Sequence, residues 1–336
     1  MSDFRGYAAP AAGKPLEPYS FQPRPLGQGD VELAISHCGV CHSDLHLVND
    51  DWRMSRYPLV PGHEIVGTVA QVGAGVQGLA PGQRVGVGWQ AGSCGTCEWC
   101  ESGEENLCAA AKPTCVPGPG GFADRIRVSA RFAIPVPEAL PSRDAAPLLC
   151  GGITVYTPLR EHGIGAHSRV GVIGVGGLGH LALQFARAMG AEVTAFSTSP
   201  DKETEARSMG AHRFVATRDP AALQAARGSL DFILSTVTAD LPWLDYVGAL
   251  RPRGTLCFVG VPPSAVALPA FALIGANKKV SGSNTGSPGL IREMLEVAAR
   301  NNVRARTEAF PLQDVNTALG RVARNEVRYR AVLEMK

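Results

Sequence analysis

The stretch that most constrains this chain is RVGVIGVGGLGHLALQFARAMG, residues 169–190. An apolar run leads into Gly174, Gly176, Gly177 and Gly179, with Leu178 between the last two, and an apolar helical run follows. Glycines in that setting permit a tight turn, close approach of backbone to a pyrophosphate, and close strand–helix contact. The helix would turn its free N–H groups and positive dipole end toward the phosphates. A dinucleotide-binding unit is therefore expected here.

The rest of the second half agrees. EVTAFST, SLDFILSTV and GTLCFVGV alternate with helical stretches, the pattern of a parallel sheet with helices on both faces. The first 150 residues have a different texture, rich in Gly and Pro with short β-type runs such as VELAIS (31–36), EIVGTVAQVG (64–73) and RVGVGW (84–89). Frequent turn signals between short strands predict a compact barrel-like β domain. SPGLIREMLEVAARN opens with Ser and Pro and carries apolar residues at 290, 291, 294, 295, 297 and 298, an amphipathic helix. EVRYRAVLEM reads as a strand returning to the first domain. The expected class is α/β, with domains at 1–150 plus 286–336 and at 151–285, well within what 336 residues can bury.

Charge narrows the function. A net charge of +2 without a basic run gives no footprint for nucleic acid or a membrane surface. The N-terminal residues lack the apolar core of a signal peptide, and no window approaches the apolar length of a spanning helix. A soluble, cytoplasmic protein acting on a small molecule is expected. Nine cysteines in such a chain read as metal or chemistry before disulfides.

The strand after the glycine loop ends AFSTSPDK. NAD-preferring sites place an acid there for the ribose hydroxyls, whereas this chain has Ser197, Thr198, Ser199 and then Lys202. Hydroxyls and an ammonium suit a 2'-phosphate, so NADP is expected over NAD. Ser199–Pro200 also reads as the cap of the next helix, which would leave Ser197, Thr198 and Lys202 free.

CGTCEWCESGEENLC supplies Cys94, Cys97, Cys100 and Cys108 within 15 residues. Four thiolates can close a tetrahedral zinc site with no open position, hence a structural one. An iron–sulfur cluster could use similar ligands. HCGVCHSDLH, residues 37–46, is more ambiguous. Its C-x-x-C could be a redox pair, half a zinc knuckle, or a place where one cysteine binds a catalytic metal. Cys41, His63 of VPGHEIVG and Cys150 could provide three ligands, with Glu64 as outer support or alternate fourth ligand.

CGVCHSDLH, PGHEIVG, the four-cysteine stretch, PLLCGGITVYTPLR and the glycine loop stand in an order that resembles the zinc-dependent medium-chain alcohol dehydrogenases. In detail they resemble the cinnamyl alcohol dehydrogenase branch with its bacterial broad-range aldehyde reductases. The likeness extends through DFILSTV, GTLCFVGVP, SGSNTG and EVRYRAV. It implies a GroES-like catalytic domain, a Rossmann domain, NADP(H), two zinc ions per chain (one catalytic, one structural) and a homodimer. It implies further that Cys41, His63 and Cys150 hold the catalytic zinc, with water, substrate or Glu64 in fourth place. Cys38 would be a packing residue. Asp44 would orient a ligand imidazole, Ser43 would touch the substrate oxygen, and His46 would exchange its proton with solvent; His37 and His42 are given no chemistry. Thr154 would lie near the nicotinamide, and Thr236, Val259, Gly260 and Ser283 would follow strand ends that meet the cofactor.

The chain departs from that family between Cys108 and Phe122, where only AAAKPTCVPGPGG stands for a longer segment near the substrate entrance. A shorter segment should open the pocket and broaden the aldehyde range, with Trp52 and Trp89 as aromatic walls or simple core and surface residues. Cys115, in that segment, has no assigned partner. Three other readings compete. A zinc-knuckle nucleic-acid binder leaves the glycine loop unexplained. A non-catalytic NADP-binding relative would not need Cys41, His63 and Cys150. An NAD-dependent polyol dehydrogenase would favour an acid near Ser197.

Overall fold

The computed structural model describes residues 3–335; the first two residues and the last, which the expected domain ranges include, lie outside it. The chain divides into two units, Met1–Ile153 with Thr285–Lys336, and Thr154–Asn284. The first unit begins with β1 (Phe4–Ala8), β2 (Glu17–Phe21), β3 (Asp30–Val40), β4 (Glu64–Val72) and β5 (Arg84–Val87). It continues with β6 (Gln90–Gly92), β7 (Lys112–Pro113), β8 (Arg125–Ser129) and β9 (Ile134–Pro135). The second unit carries β10 (Arg169–Ile173), β11 (Glu192–Ser197), β12 (Arg213–Ala216), β13 (Leu230–Ser235), β14 (Leu250–Phe258) and β15 (Lys279–Gly282). The chain then returns to the first unit with helix Pro288–Asn301, β16 (Thr307–Pro311) and β17 (Arg330–Glu334).

In the first unit, β3 is the organising strand. β4 runs along one of its edges over Val31–Gly39; the other edge is divided between β8 at Asp30–Ala34 and β17 at His37–Val40. The seven-stranded sheet runs β16-β17-β3-β4-β5-β9, with β8 joined at β3. Val31, Leu33 and Ile35 alternate into the core, as a period of two requires, and meet Ile65, Val85, Phe122 and Leu333 there. Burying each such side chain contributes about 1.5–3 kcal/mol. Helix Pro288–Asn301 starts at Ser287, whose hydroxyl accepts from Leu290 N, and buries Ile291, Met294, Leu295 and Ala298 on one stripe.

The second unit is a six-stranded, wholly parallel sheet in the order β12-β11-β10-β13-β14-β15. After β10 the chain pairs first with β11 on one side and later with β13 on the other. The glycine loop follows β10, at the point where strand order reverses and open parallel sheets bind ligands. Helix Gly179–Ala188 packs on β10 and β11, and helix Trp243–Ala249 packs on β14. Among the described residues, no helix is long and apolar enough to cross a membrane.

One buried ion pair spans the first unit. Glu64 on β4 and Arg330 on β17 flank β3 on opposite sides, opposite Gly39 and Val40. They meet because Gly39 has no side chain: a Cβ there would run into the Glu64 carboxylate. The Arg330 guanidinium donates to Glu64 Oε1, and both side chains are essentially buried. Burial pushes the Glu64 carboxyl up to about 7 even against the pull of Arg330. Breaking one partner of such a pair leaves an uncompensated buried charge. Arg330→Ala should therefore lower the unfolding free energy in urea by about 3–5 kcal/mol. A raised carboxyl pKa means the folded state holds a proton that the unfolded state has released, so the deficit should deepen above about pH 7. A loss below about 1 kcal/mol at every pH would show that the pair does not support the sheet.

Candidate functional site

The site is built around one carboxylate. Cys41 ends β3 in an extended conformation and stands at the N-cap of helix His42–Asn49. Asp44, at the third helical position, reaches back so that its Oδ2 accepts from Cys41 N at 2.9 Å, half of a capping box. Its Oδ1 accepts from Gly62 N at 2.9 Å and from His63 Nδ1 at 3.0 Å. A fully buried carboxylate is tolerable only with its lone pairs engaged, and Asp44 takes three N–H donors. The segments bearing Cys41 and His63 are thereby tied to one group.

Cys41, His63, Glu64 and Cys150 bring ligand atoms within 4.8 Å of one another. With Nδ1 given to Asp44, His63 Nε2 is buried without a hydrogen-bond partner among the described residues. Such an orphan is costly unless it serves as a ligand, so these residues fit a metal ion. The thiol of Cys150 holds Cys41 well below the ordinary thiol range, while Cys150, hydrogen-bonded to Cys41 and buried, is pushed up. Burial opposes the His63 imidazolium, but Asp44 and Cys150 outweigh it and raise the ring's basicity. Two sulfurs and an imidazole are the donor set that zinc favours. Glu64 lies at the edge of this set with Oε1 committed to Arg330 and Oε2 without a partner among the described residues.

The two cysteines of the C-x-x-C part company. Cys38 lies on β3, fully buried in the core, and Cys41 faces His63 and Cys150. All nine cysteines are free thiols. Cys94, Cys97, Cys100 and Cys108 form a second cluster within 4.8 Å. Backbone amides of Cys94, Thr96 and Ala110 point at its sulfurs at 3.4–3.5 Å. The amides of Thr96 and Cys97 draw the Cys94 thiol down to about 6. Four thiolates leave no open position on a tetrahedral ion.

Ser43 follows on the same helix, its hydroxyl 3.7 Å from Cys41 Sγ. His46, one turn on, bonds Asp51 through Nδ1 at 2.7 Å and lies 5.0 Å from the Trp52 ring. Trp89 meets the His63 ring edge-on at 5.0 Å and Trp52 at 5.9 Å. Both tryptophans therefore stand beside site residues, with Trp52 44% exposed. His37 pairs with Ser36 on β3 and His42 is exposed.

Two residues of this region were not visible as members from sequence. Arg330 signalled itself only as a charge within an apolar strand. Cys115 is buried beside Asp44 and His63, all three ligand atoms within 4.8 Å, and its thiol donates to Gly62 O at 3.1 Å. Its one signal was the lack of any partner in the shortened segment.

In the second unit, Gly174 adopts φ +91, which favours glycine, and a Cβ on Gly179 would collide with the Gly174 carbonyl. Gly176 and Gly177 lie between, Leu178 stands at the N-cap position, and the ten-residue helix Gly179–Ala188 follows. Lys202 Nζ donates to Val175 O at 2.8 Å, tying the end of β11 to this loop. Thr198 is exposed and Ser197 ends β11. The capping expectation needs correction. Ser199 stands at the N-cap of a single 3-10 turn, Pro200–Lys202, but makes no side-chain cap. The Ser197 hydroxyl, instead of being free, accepts from Ser199 N at 3.1 Å because the chain turns within two residues. Thr236, Val259 with Gly260, and Ser283 directly follow β13, β14 and β15. Thr236 Oγ1 donates to Ile173 O at 2.8 Å, and the Val259 and Gly260 amides both donate to Ser235 O at 3.0 Å. Thr154 is half-buried on helix Gly151–Glu161.

Residues 27–138 match the alcohol dehydrogenase GroES-like domain, and residues 177–300 match the zinc-binding dehydrogenase domain. An aldehyde reductase of Synechocystis sp. is 44% identical over 329 residues, covering 98% of each chain. The structure of a cinnamyl alcohol dehydrogenase from Sorghum bicolor superposes with a TM-score of 0.94 at 41% identity, over 99% of this chain and 98% of that one. A Helicobacter pylori CAD structure, complexed with NADP(H), gives a TM-score of 0.91 at 34% identity over 99% and 98%. With the ligand set and the glycine loop in place, these matches show that the chain belongs to the zinc-dependent medium-chain alcohol dehydrogenases, in the branch of the cinnamyl alcohol dehydrogenases.

Proposed function

We propose that the protein interconverts aldehydes and primary alcohols with NADP(H), taking a broad range that includes aromatic aldehydes. The observation that carries this reading is the buried, partnerless His63 Nε2 facing the Cys41 and Cys150 thiols, one turn of helix from a serine hydroxyl. When bound, zinc would supply Lewis acidity at the carbonyl oxygen and the reduced nicotinamide would supply the hydride.

This chain's residues supply the rest. Cys41, His63 and Cys150 would hold the metal, and Arg330 draws Glu64 toward itself and away from fourth place. Asp44 accepts the Nδ1 proton, so that Nε2 offers its lone pair. The Ser43 hydroxyl gives the proton that completes the alcohol, and His46, held by Asp51, exchanges it with solvent. Oxidation runs the same steps backward. Trp52 and Trp89 offer apolar walls to an aromatic substrate. Cys94, Cys97, Cys100 and Cys108 would hold a structural zinc.

For the cofactor, Ser197, Thr198, Ser199 and Lys202 would bind the 2'-phosphate, and Gly174–Gly179 with the following helix would bind the pyrophosphate. The NADP(H) complex of the Helicobacter pylori relative supports this choice. The strand-following residues Thr236, Val259, Gly260 and Ser283, together with Thr154, are assigned to the cofactor by resemblance. Thiol ligand sites suit a reducing compartment, which favours the cytoplasm. A homodimer is favoured by an apolar surface on the second unit: β15 is a sheet edge, and Val261, Phe271 and Ile274 are 77%, 80% and 67% exposed.

Three outcomes are expected. Cys41→Ser should halve the zinc content from two ions per chain to one and cut kcat/KM for benzaldehyde by more than about 100-fold. Retained activity in that variant would contradict the metal assignment. Ser197→Asp should shift the NADPH-to-NADH preference by about 10–100-fold toward NADH, the value of one charge-assisted bond replaced by like-charge repulsion. An unchanged ratio would remove the phosphate from this corner. The combined Phe271→Asp and Ile274→Asp variant should elute at half the mass of the parent in light-scattering chromatography. A parent that is already monomeric would refute the dimer.

A further inference from the structure

The shortened segment does more than border the site. From Thr114 to Phe122 it ties down the turn that delivers His63. Thr114 donates through its amide to Trp89 O at 2.8 Å and through its hydroxyl to Gly88 O at 2.5 Å. Gly120 N donates to Val60 O at 2.8 Å, Phe122 N to Pro61 O at 2.9 Å, and Gly121 N to Gly62 O at 2.7 Å. Cys115 Sγ donates to that same Gly62 oxygen at 3.1 Å.

The Gly62 carbonyl shares a rigid peptide plane with the His63 amide, so whatever turns that carbonyl turns His63. Gly62 has φ +100 and no side chain, and nothing of its own resists rotation. Its amide is fixed by Asp44 Oδ1, and its carbonyl is fixed by the Gly121 amide and the Cys115 thiol. Cys115 is the one side chain among these donors. It is 1% exposed and packs with Leu47, Leu59 and Val116, so it has no water to turn to.

We propose that Cys115 is a positioning residue for the metal centre, holding the Gly62–His63 peptide plane so that His63 Nε2 keeps its aim at the Cys41–Cys150 pair. The proposal rests on the metal-binding reading given above. It makes the segment that borders substrate also a support for a metal ligand. Its role passes through a backbone carbonyl, and it touches neither metal nor substrate.

Cobalt-loaded protein separates this from simple packing. Cys115→Val removes the donor and keeps a buried apolar side chain, whereas Cys115→Ser keeps a donor. Cys115→Val should release metal from the Cys41 set to a chelator about 10-fold faster than the parent and shift the cobalt absorption of that set. Cys115→Ser should remain within about threefold of the parent in rate and keep its spectrum. The four-cysteine cluster should hold its metal in all variants, and serves as the folding control. If Cys115→Val disturbs that cluster too, the comparison is read with Cys115→Ala. Parent-like release and spectrum in Cys115→Val, or equal loss in the serine variant, would overturn the positioning role alone. A Cys41→Ser protein that keeps the full cobalt spectrum would instead overturn the metal reading, and this role with it.

Discussion

The structure around the candidate site depends on the buried carboxylate of Asp44. Its two oxygens accept from the amide of Cys41, the amide of Gly62 and the imidazole of His63. Two of the three proposed ligands, contributed by segments 22 residues apart, thus share one electrostatic anchor. A surface ion pair could not do this, because solvent would screen it and the side chains would stay mobile. Here desolvation forces every oxygen lone pair to find a donor, and the donors are the backbone and ring of the ligand residues themselves. The same carboxylate starts the helix that carries Ser43 and His46, so capping and ligand placement are one event.

Around that anchor lie two outer supports. Arg330 holds Glu64 across β3 through the gap left by Gly39, and the Thr114–Phe122 segment holds the Gly62 peptide. In the second unit the organisation is of another kind: successive parallel strands deliver short polar loops at one end, after β10, β11, β13, β14 and β15. The charge there is supplied by helix and backbone dipoles with Lys202, and no acid follows β11 before Asp201.

How much of this could be read in the sequence depends on how far apart the partners lie. The glycine loop and the four-cysteine cluster were legible because each is a local pattern whose spacing states its geometry. Strands β3, β4, β10, β11, β13 and β14 announced themselves by apolar runs between turn residues. Cys41, His63 and Cys150 needed the family likeness, since three separate segments must converge before they make a site. Arg330 meets Glu64 from 266 residues away, and Cys115 acts through a backbone carbonyl, which no side-chain pattern encodes. Ser199 was misjudged because a Ser-Pro pair suggests a cap, yet the hydroxyl two residues earlier reaches the amide first.

The central claim joins a metal-dependent carbonyl reaction to NADP(H), and one measurement tests both halves. Purified protein is mixed with benzaldehyde, and loss of reduced-nicotinamide absorbance is followed with NADPH and with NADH, before and after chelation. The account predicts rapid oxidation of NADPH, much slower oxidation of NADH, and loss of both rates once metal is removed. Turnover that survives verified loss of metal, or equal turnover with NADH, would contradict it.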